Sequence, residues 1–504
     1  MPPQDLRLLL AILTPLIGAG LVMATGKKPN LRETCSFVSA AALFGIVIWM
    51  VPAILDKQTL HFTLFQLFPG TVSGNLGPLS ISLRADALSM VFAVAASFLW
   101  MVTVFYSTGY MRGLHEHDQT RFNTCFALAL FGAMGCAFSD NLLTLYLFYE
   151  IVSVCTYPLV AHHQDEEGYE GGKKYLTYLT ATAKGLVLPA MVLIYALTGT
   201  LDFANNTHSG ILLKNGVLPP NISQWLAIGL YACCILGFAK NGVMPFHNWL
   251  PSAMVAPTPV SALLHAVAVV KVGVFSTVRV MLYVFGRDLM TNLHLGLPTA
   301  YFVSITIVVG SIVALSKDNL KARLAYSTVS QLSYIILGVA LLSDAGIQGG
   351  VIHIANHAFS KITLFFCAGA IYVATHKKNI SEMSGLGRVM PWTFGAFALA
   401  SLSMIGAPPV AGFVTKWYLL NGAMDAGSIG IIVVLLVSTL LNAAYFVPVV
   451  YQGFFGKPTQ ADLDHKYTEA HPMMVVPLTI TAVISVLIGL YPNFFMSFVQ
   501  RLIS

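Results

Sequence analysis

Five lysines, three histidines and one glutamate stand inside long apolar runs of this chain, a combination able to carry protons. The lysines are Lys184, Lys240, Lys271, Lys361 and Lys416, and the histidines are His265, His353 and His357. The carboxylate is Glu150, in the run NLLTLYLFYEIVSVCTYPLV. A charged side chain at membrane depth costs roughly 2.5–3.5 kcal/mol even on the lenient insertion scale, so a whole set needs a reason. Taking an ammonium out of water favours its neutral form, which lets a buried lysine release and retake a proton near neutral pH. Histidine titrates there unaided. A carboxylate in the same interior biases whichever lysine it pairs with.

The spacing sharpens this. His353, His357 and Lys361 follow at four-residue steps and form one stripe on a helix face, about 12 Å long at 1.5 Å per residue. His265 and Lys271 are six apart, about 240° round a helix, so they serve successive stations or different neighbours. Two stretches break helices beside lysines. In KNGVMPFHNWLPSAMVAPTPVSALLHAVAVVK (240–271), Gly242, Pro245, Pro251, Pro257 and Pro259 rule out a continuous helix, because proline lacks the N–H and clashes with the preceding turn. In GAPPVAGFVTK (406–416), Gly406, Pro408, Pro409 and Gly412 interrupt a second helix ahead of Lys416. Freed backbone groups and charges at membrane depth persist only where protein or water solvates them, so a broken helix beside a lysine is a default ion pathway. Blander readings stand beside this one. Lys271 or Lys361 could snorkel, as could Lys184, which lies about three turns into its run. His353 and His357 could be helix–helix hydrogen-bonding residues. Haem ligation fits poorly, since two histidines on one face of one helix cannot sandwich an iron.

The elements that must position these groups follow from composition. Of 504 residues, 56% are hydrophobic and 10% charged, and mean hydropathy is +0.75. Apolar stretches of about 20 residues recur from end to end, each long enough to cross a bilayer. The chain is therefore predicted to be an all-α polytopic membrane protein with about fourteen spans in a single membrane domain, 1–504. The segment from Met1 to Met23 reads as a first span rather than a removed signal peptide. His61 to Arg84 differs: HFTLFQL and LSISLRA flank a Pro/Gly/Ser/Asn-rich turn, which predicts a short surface hairpin. Odd-numbered loops hold about fifteen Lys and Arg against about seven elsewhere, which places those loops in the cytoplasm and both termini outside. The net charge of +6 reflects that asymmetry and is no argument for nucleic acid. The seven cysteines all fall in apolar runs without metal-type spacing, so neither a disulfide framework nor a zinc site is expected. No dinucleotide-binding glycine motif occurs; no cofactor and no metal are expected, and any electron transfer belongs to partner chains.

The 240–271 stretch resembles the signature of the antiporter-like proton-translocating subunits shared by respiratory complex I, Mrp-type cation/proton antiporters and membrane-bound hydrogenases. The similarity continues in DNLKARLAYSTVSQLSYI (318–335), HIANHAFSKITLFFCAGA (353–370), GAPPVAGFVTKW (406–417) and RADALSMVFAVAASFLWMVTVFYSTGYM (84–111). The resemblance implies fourteen spans, two inverted five-helix repeats (119–284 and 296–455), and broken helices at spans 7 and 12. It sets Glu150 on the family's fifth-span glutamate and Lys240 on its seventh-span lysine. His265 and Lys271 fall on polar positions of the eighth span, and His353, His357 and Lys361 on the eleventh. Lys416 falls on the terminal twelfth-span residue, lysine in some members and glutamate in others. Lys184 departs from the pattern, since a small or polar neutral residue is expected there. The chain stops soon after span 14, which points away from the largest complex I subunit with its long lateral helix.

The function implied is proton translocation along a mid-membrane chain of Lys, His and Glu, within a multisubunit complex of the inner membrane. Its partners would be the other membrane subunits of a Mrp-, hydrogenase- or complex I-like assembly, with H+ moved and Na+ left open. The acidic loop HHQDEEGYEGGKK (162–174) and the hairpin are candidate docking points. Two other classes compete: a self-sufficient secondary transporter with a midplane substrate site, and a quinone- or haem-active enzyme, whose ligands are missing.

Overall fold

Proline, glycine and capping side chains set where the helices of this chain start and stop. A computed structural model describes residues 4–70, 76–214, 216–457 and 468–503. Helix α1 (Leu6–Ala24) is capped by Asp5, whose carboxylate accepts the Arg7 N–H, and α2 (Pro29–Leu55) carries proline in its first turn, where no donor is lost. Strands β1 (Leu60–Phe68) and β2 (Leu79–Ala85) pair antiparallel, with Leu60 opposite Ala85 and Phe68 opposite Leu79. This is the hairpin expected from the sequence; residues 71–75 of its turn lie outside the described residues. Asp86 caps α3 (Ala87–Gly113), which is followed by α4 (Gln119–Ala137), α5 (Leu142–Val160, capped by Asn141) and α6 (Glu166–Thr198).

The acidic stretch read as a loop is mostly helix. Asp165 accepts the Gly168 N–H as an N-cap, and Glu166 and Glu167 occupy the first turn, where carboxylates suit the positive end of the helix dipole. Helix α6 therefore begins at Glu166, inside that stretch.

Next come α7 (Gln224–Gly237), α8 (Val260–Asn292), α9 (Gly296–Ser316), α10 (Leu320–Ala340), α11 (Asp344–Thr375), α12 (Pro391–Ile405), α13 (Ala411–Asp425), α14 (Ile429–Phe455) and α15 (Pro472–Leu490). Among the described residues, ten helices are long and apolar enough to cross a membrane, and α7 and α12 are shorter apolar helices. The chain is thus a mostly helical, polytopic membrane protein. Past α15, Pro492 precedes a separate amphipathic helix, α16 (Asn493–Ile503), whose Phe495, Phe498 and Val499 turn back onto α3 and α11.

Helices α3, α8 and α11 form the centre. Their apolar segments are buried nearly all round, whereas α1, α2, α14 and α15 leave much of their apolar surface facing outward, as lipid-facing helices do. Both expected breaks are present. Helix α7 ends at Gly237, gives one 3₁₀ turn (Ala239–Asn241), and turns at Gly242 with φ +73°. Helix α12 stops at Gly406, φ +86°, and the chain resumes as α13 five residues beyond. Positive φ is open to glycine because it has no Cβ. Single π-helical turns also interrupt α6 at Ala183–Val187 and α8 at Leu264–Ala268 and Met281–Phe285. Such turns free backbone groups and shift the phase of the side chains.

Candidate proton-transfer site

Lys240 sits on the 3₁₀ turn at the end of α7 and is fully buried. Its Nζ donates to the Tyr149 carbonyl at 2.8 Å and to Ser153 Oγ at 2.7 Å, and lies 3.1 Å from the centroid of the Tyr149 ring. The turn is gripped from the other side by α8: a Cβ on Gly273 would lie 2.1 Å from the Lys240 carbonyl carbon. Glu150, the one carboxylate expected to bias a buried lysine, makes no ion pair with Lys240. Its Oε1 is buried without a hydrogen-bond partner among the described residues, and it acts on Lys240 and Lys184 through space. The helix period explains this: Tyr149 and Ser153 share the face of α5 that meets α7, and Glu150 is turned about 100° from Tyr149.

Helices α8 and α11 meet in the centre of the molecule. Lys271 Nζ and His357 Nδ1 are 2.7 Å apart, and both residues are fully buried. One helical turn away on α11, the His353 ring lies 5.6 Å from that of His357, and its Nδ1 is 3.2 Å from Thr415 Oγ1 on α13. Lys361, one turn the other way, donates to Ser327 Oγ at 2.8 Å; Tyr445 donates to the same hydroxyl at 3.2 Å. Lys271, Lys361 and Lys416 all lie within electrostatic reach of His353. The stripe expected on α11 is therefore buried and joined to groups on α8, α10 and α13.

Lys416 closes the line at the second break. It is part-buried, and its Nζ donates to the Ile405 carbonyl at 2.6 Å and to Thr439 Oγ1 at 2.7 Å. Ile405 is the last residue of α12, so the ammonium sits where the carbonyl end of a half-helix attracts positive charge. The Nζ lies 5.7 Å from the Tyr334 ring centroid, and that ring is 5.8 Å from His353.

Two of the sequence candidates stand off this line. His265, on the π-helical turn of α8, is fully buried against Tyr175 and Trp249, and neither ring nitrogen has a hydrogen-bond partner among the described residues. It faces different neighbours from Lys271, as their six-residue spacing allowed. Lys184 is exposed on the surface of α6, on the side toward Glu150.

Other buried polar groups escaped the sequence reading. Arg279 lies within α8 and is fully buried; it donates to both Asp86 carboxylate oxygens, at 2.5 and 3.0 Å, and to Ser89. Arg84 of β2 joins the same carboxylate at 3.0 Å. An arginine inside an apolar run was the available signal. At the opposite end of the bundle, a polar cavity of about 410 Å³ is lined by Glu116, His163, Asp165, Glu167, Lys321 and Lys378 among others. Lys321, in the first turn of α10, donates to the Ala256 carbonyl at 2.7 Å and is the charge that acts on His265.

Comparison with known proteins places this arrangement. Residues 139–442 match the family described as NADH:quinone oxidoreductase/Mrp antiporter, transmembrane, and residues 73–123 match the N-terminal family of complex I chain 5. NADH-quinone oxidoreductase subunit N of Desulforudis audaxviator is 32% identical over 435 residues, spanning 83% of this chain and 84% of that protein. Subunit L of Mycobacterium tuberculosis is 30% identical over 493 residues, 95% of this chain and 74% of that protein. A chain of the Mrp complex from Dietzia sp. DQ12-45-1b shares the fold, with a TM-score of 0.85 at 21% identity, covering 100% of this chain and 97% of that one. With more than half its length matched, the chain belongs to the NADH:quinone oxidoreductase/Mrp antiporter transmembrane family.

Proposed function

We propose that this chain is a proton-translocating, antiporter-like subunit of a multisubunit membrane complex, moving protons along the buried line of Lys, His and Glu. The contact between Lys271 and His357 carries the reading. It joins α8 of the first repeat (119–284) to α11 of the second (296–455), the two inverted halves of a fourteen-span fold with both termini outside the inner membrane. A protonated Lys271 donates to His357 Nδ1; transfer along that bond makes an imidazolium whose other nitrogen, Nε2, can release a proton onward. That Nε2 has no protein partner among the described residues, which suits delivery to water.

Protons enter from the polar cavity on the basic-loop side, past Lys321 and His265, which stand off the line itself, and reach Lys271 through bridging water. They leave through His353, with Lys361 as a side station, to Lys416, which exchanges at the α12 break. Lys240 is a further proton station, biased through space by Glu150, so a change in either charge alters whether the other holds its proton. The exposed Lys184 beside half-buried Glu150 supports a partner subunit covering that face, because lipid alone leaves such a cation costing roughly 2.5–3.5 kcal/mol. H+ is the ion this chemistry requires. Na+ movement would need oxygen ligands; at the α12 break the Ile405 carbonyl already accepts from the Lys416 ammonium, and the Lys240 ammonium takes the Tyr149 carbonyl of α5.

Lys240→Arg tests the relay. Arginine keeps the charge but holds its proton at all working pH values. In the complex purified with its partner subunits and reconstituted into liposomes, the variant is expected to assemble and to move protons about as poorly as Lys240→Ala. Near-normal transport by an assembled Lys240→Arg complex would leave Lys240 with an electrostatic role only.

A further inference from the structure

We propose that Glu116, His117 and His162 form a binding site for a divalent transition metal of the Zn2+ class, at the rim of the polar cavity. This site stands apart from the buried Lys–His line, at the cavity from which that line is entered. Its ligands come from the turn between α3 and α4 and the turn between α5 and α6, far apart in sequence and adjacent in space. One ligand atom from each of the three lies within 4.8 Å of the others. Bonds of about 2.0–2.1 Å in a tetrahedron need ligand atoms roughly 3.4 Å apart, so side-chain shifts of about 1 Å complete the site.

Three observations favour a metal over a chance meeting of polar groups. His162 is fully buried, yet neither ring nitrogen has a hydrogen-bond partner among the described residues. Burying an imidazole unsatisfied is unfavourable, and a metal bond would answer it. His117 Nε2 is 3.0 Å from the His162 carbonyl. Donation to that carbonyl puts the proton on Nε2 and leaves Nδ1 its lone pair, the arrangement that orients metal-ligating histidines. Glu116 turns one oxygen to His162 Nε2 and the other to His163 Nε2, each at 3.8 Å. His163 is thus available as a fourth ligand. Two or three imidazoles with one carboxylate suit zinc, copper or nickel rather than magnesium or calcium.

An opposing charge beside the site is Arg121, which donates to the His162 carbonyl at 3.0 Å and pairs with Asp118 at 3.3 Å. Its charge is therefore partly answered before a metal arrives. Glu116 and His163 also line the polar cavity, so a bound metal would tie two helix-joining turns together at its mouth.

The test uses the full chain in detergent after washing with a chelator. Co2+ is titrated for the visible absorption of a tetrahedral site, and Zn2+ by competition with a chromogenic chelator. One equivalent per chain is expected, with His117→Ala and Glu116→Gln each weakening affinity at least about tenfold. His117 is exposed, so its variant is expected to keep the thermal unfolding profile even where a His162 variant does not. His294→Ala, in a distant turn, is expected to change nothing. Less than one equivalent bound by the native chain overturns the proposal, as does unchanged affinity in His117→Ala and Glu116→Gln.

Discussion

Replacing His357 by glutamine separates proton transfer from packing at the centre of the molecule. Lys271 Nζ and His357 Nδ1 lie 2.7 Å apart, both fully buried. Two unit charges at that distance repel by about 6 kcal/mol at an effective dielectric constant of about 20. That is more than four factors of ten in population at about 1.4 kcal/mol each, so the pair holds one proton at a time and the arrival of a second expels the first. Glutamine keeps an acceptor oxygen for the Lys271 ammonium, so assembly and thermal stability are expected to change little. It has no nitrogen that can take a proton from one side and return it on the other. Loss of a positioned acid–base group lowers rates by about 10²–10⁴, or about 3–5 kcal/mol in the barrier. The assay is proton uptake by proteoliposomes holding the complete complex, read with an enclosed pH-sensitive dye and normalised to assembled subunit. A rate within about threefold of the unsubstituted complex, well short of that loss, would refute proton passage through His357.

Three further outcomes are expected. Glu150→Ala depresses proton transport at least about tenfold and Glu150→Asp retains part of it, because the carboxylate acts on Lys240 through space; equal rates for both and the unsubstituted complex would exclude that role. Asp86→Asn leaves Arg279 buried without its counter-charge, which costs about 3–5 kcal/mol; it is expected to lower yield and unfolding temperature in detergent, and an unchanged melting profile would show the cluster dispensable. A C-terminal reporter active only in the cytoplasm is expected to stay silent, since the basic loops favour that side, and activity would reverse the assigned orientation.

Much of the candidate site was legible in the sequence because a bilayer punishes exceptions. A lysine, histidine or glutamate inside an apolar run, or a proline-glycine break beside one, stands out against a uniform background, and Glu150, Lys240, Lys271, Lys361 and Lys416 were found that way. Helical periodicity also placed His353, His357 and Lys361 on one face, because that relation depends on a single helix. At Asp165 the polar composition predicts a loop, whereas the capping chemistry of DEE starts a helix there.

Tertiary structure alone decided what each group touches. The period of α5 leaves open which face meets α7, and it is Tyr149 and Ser153, not Glu150, that receive the Lys240 ammonium. Lys271 meets His357 across 86 positions of sequence, and Arg279 meets Asp86 across 193. The Glu116, His117 and His162 cluster likewise exists only because two connecting turns come together at one end of the bundle. A sequence records each helix's own faces through its periodicity, whereas which faces meet is set by the packing of all the helices at once, and a side chain's proton chemistry depends on that neighbour.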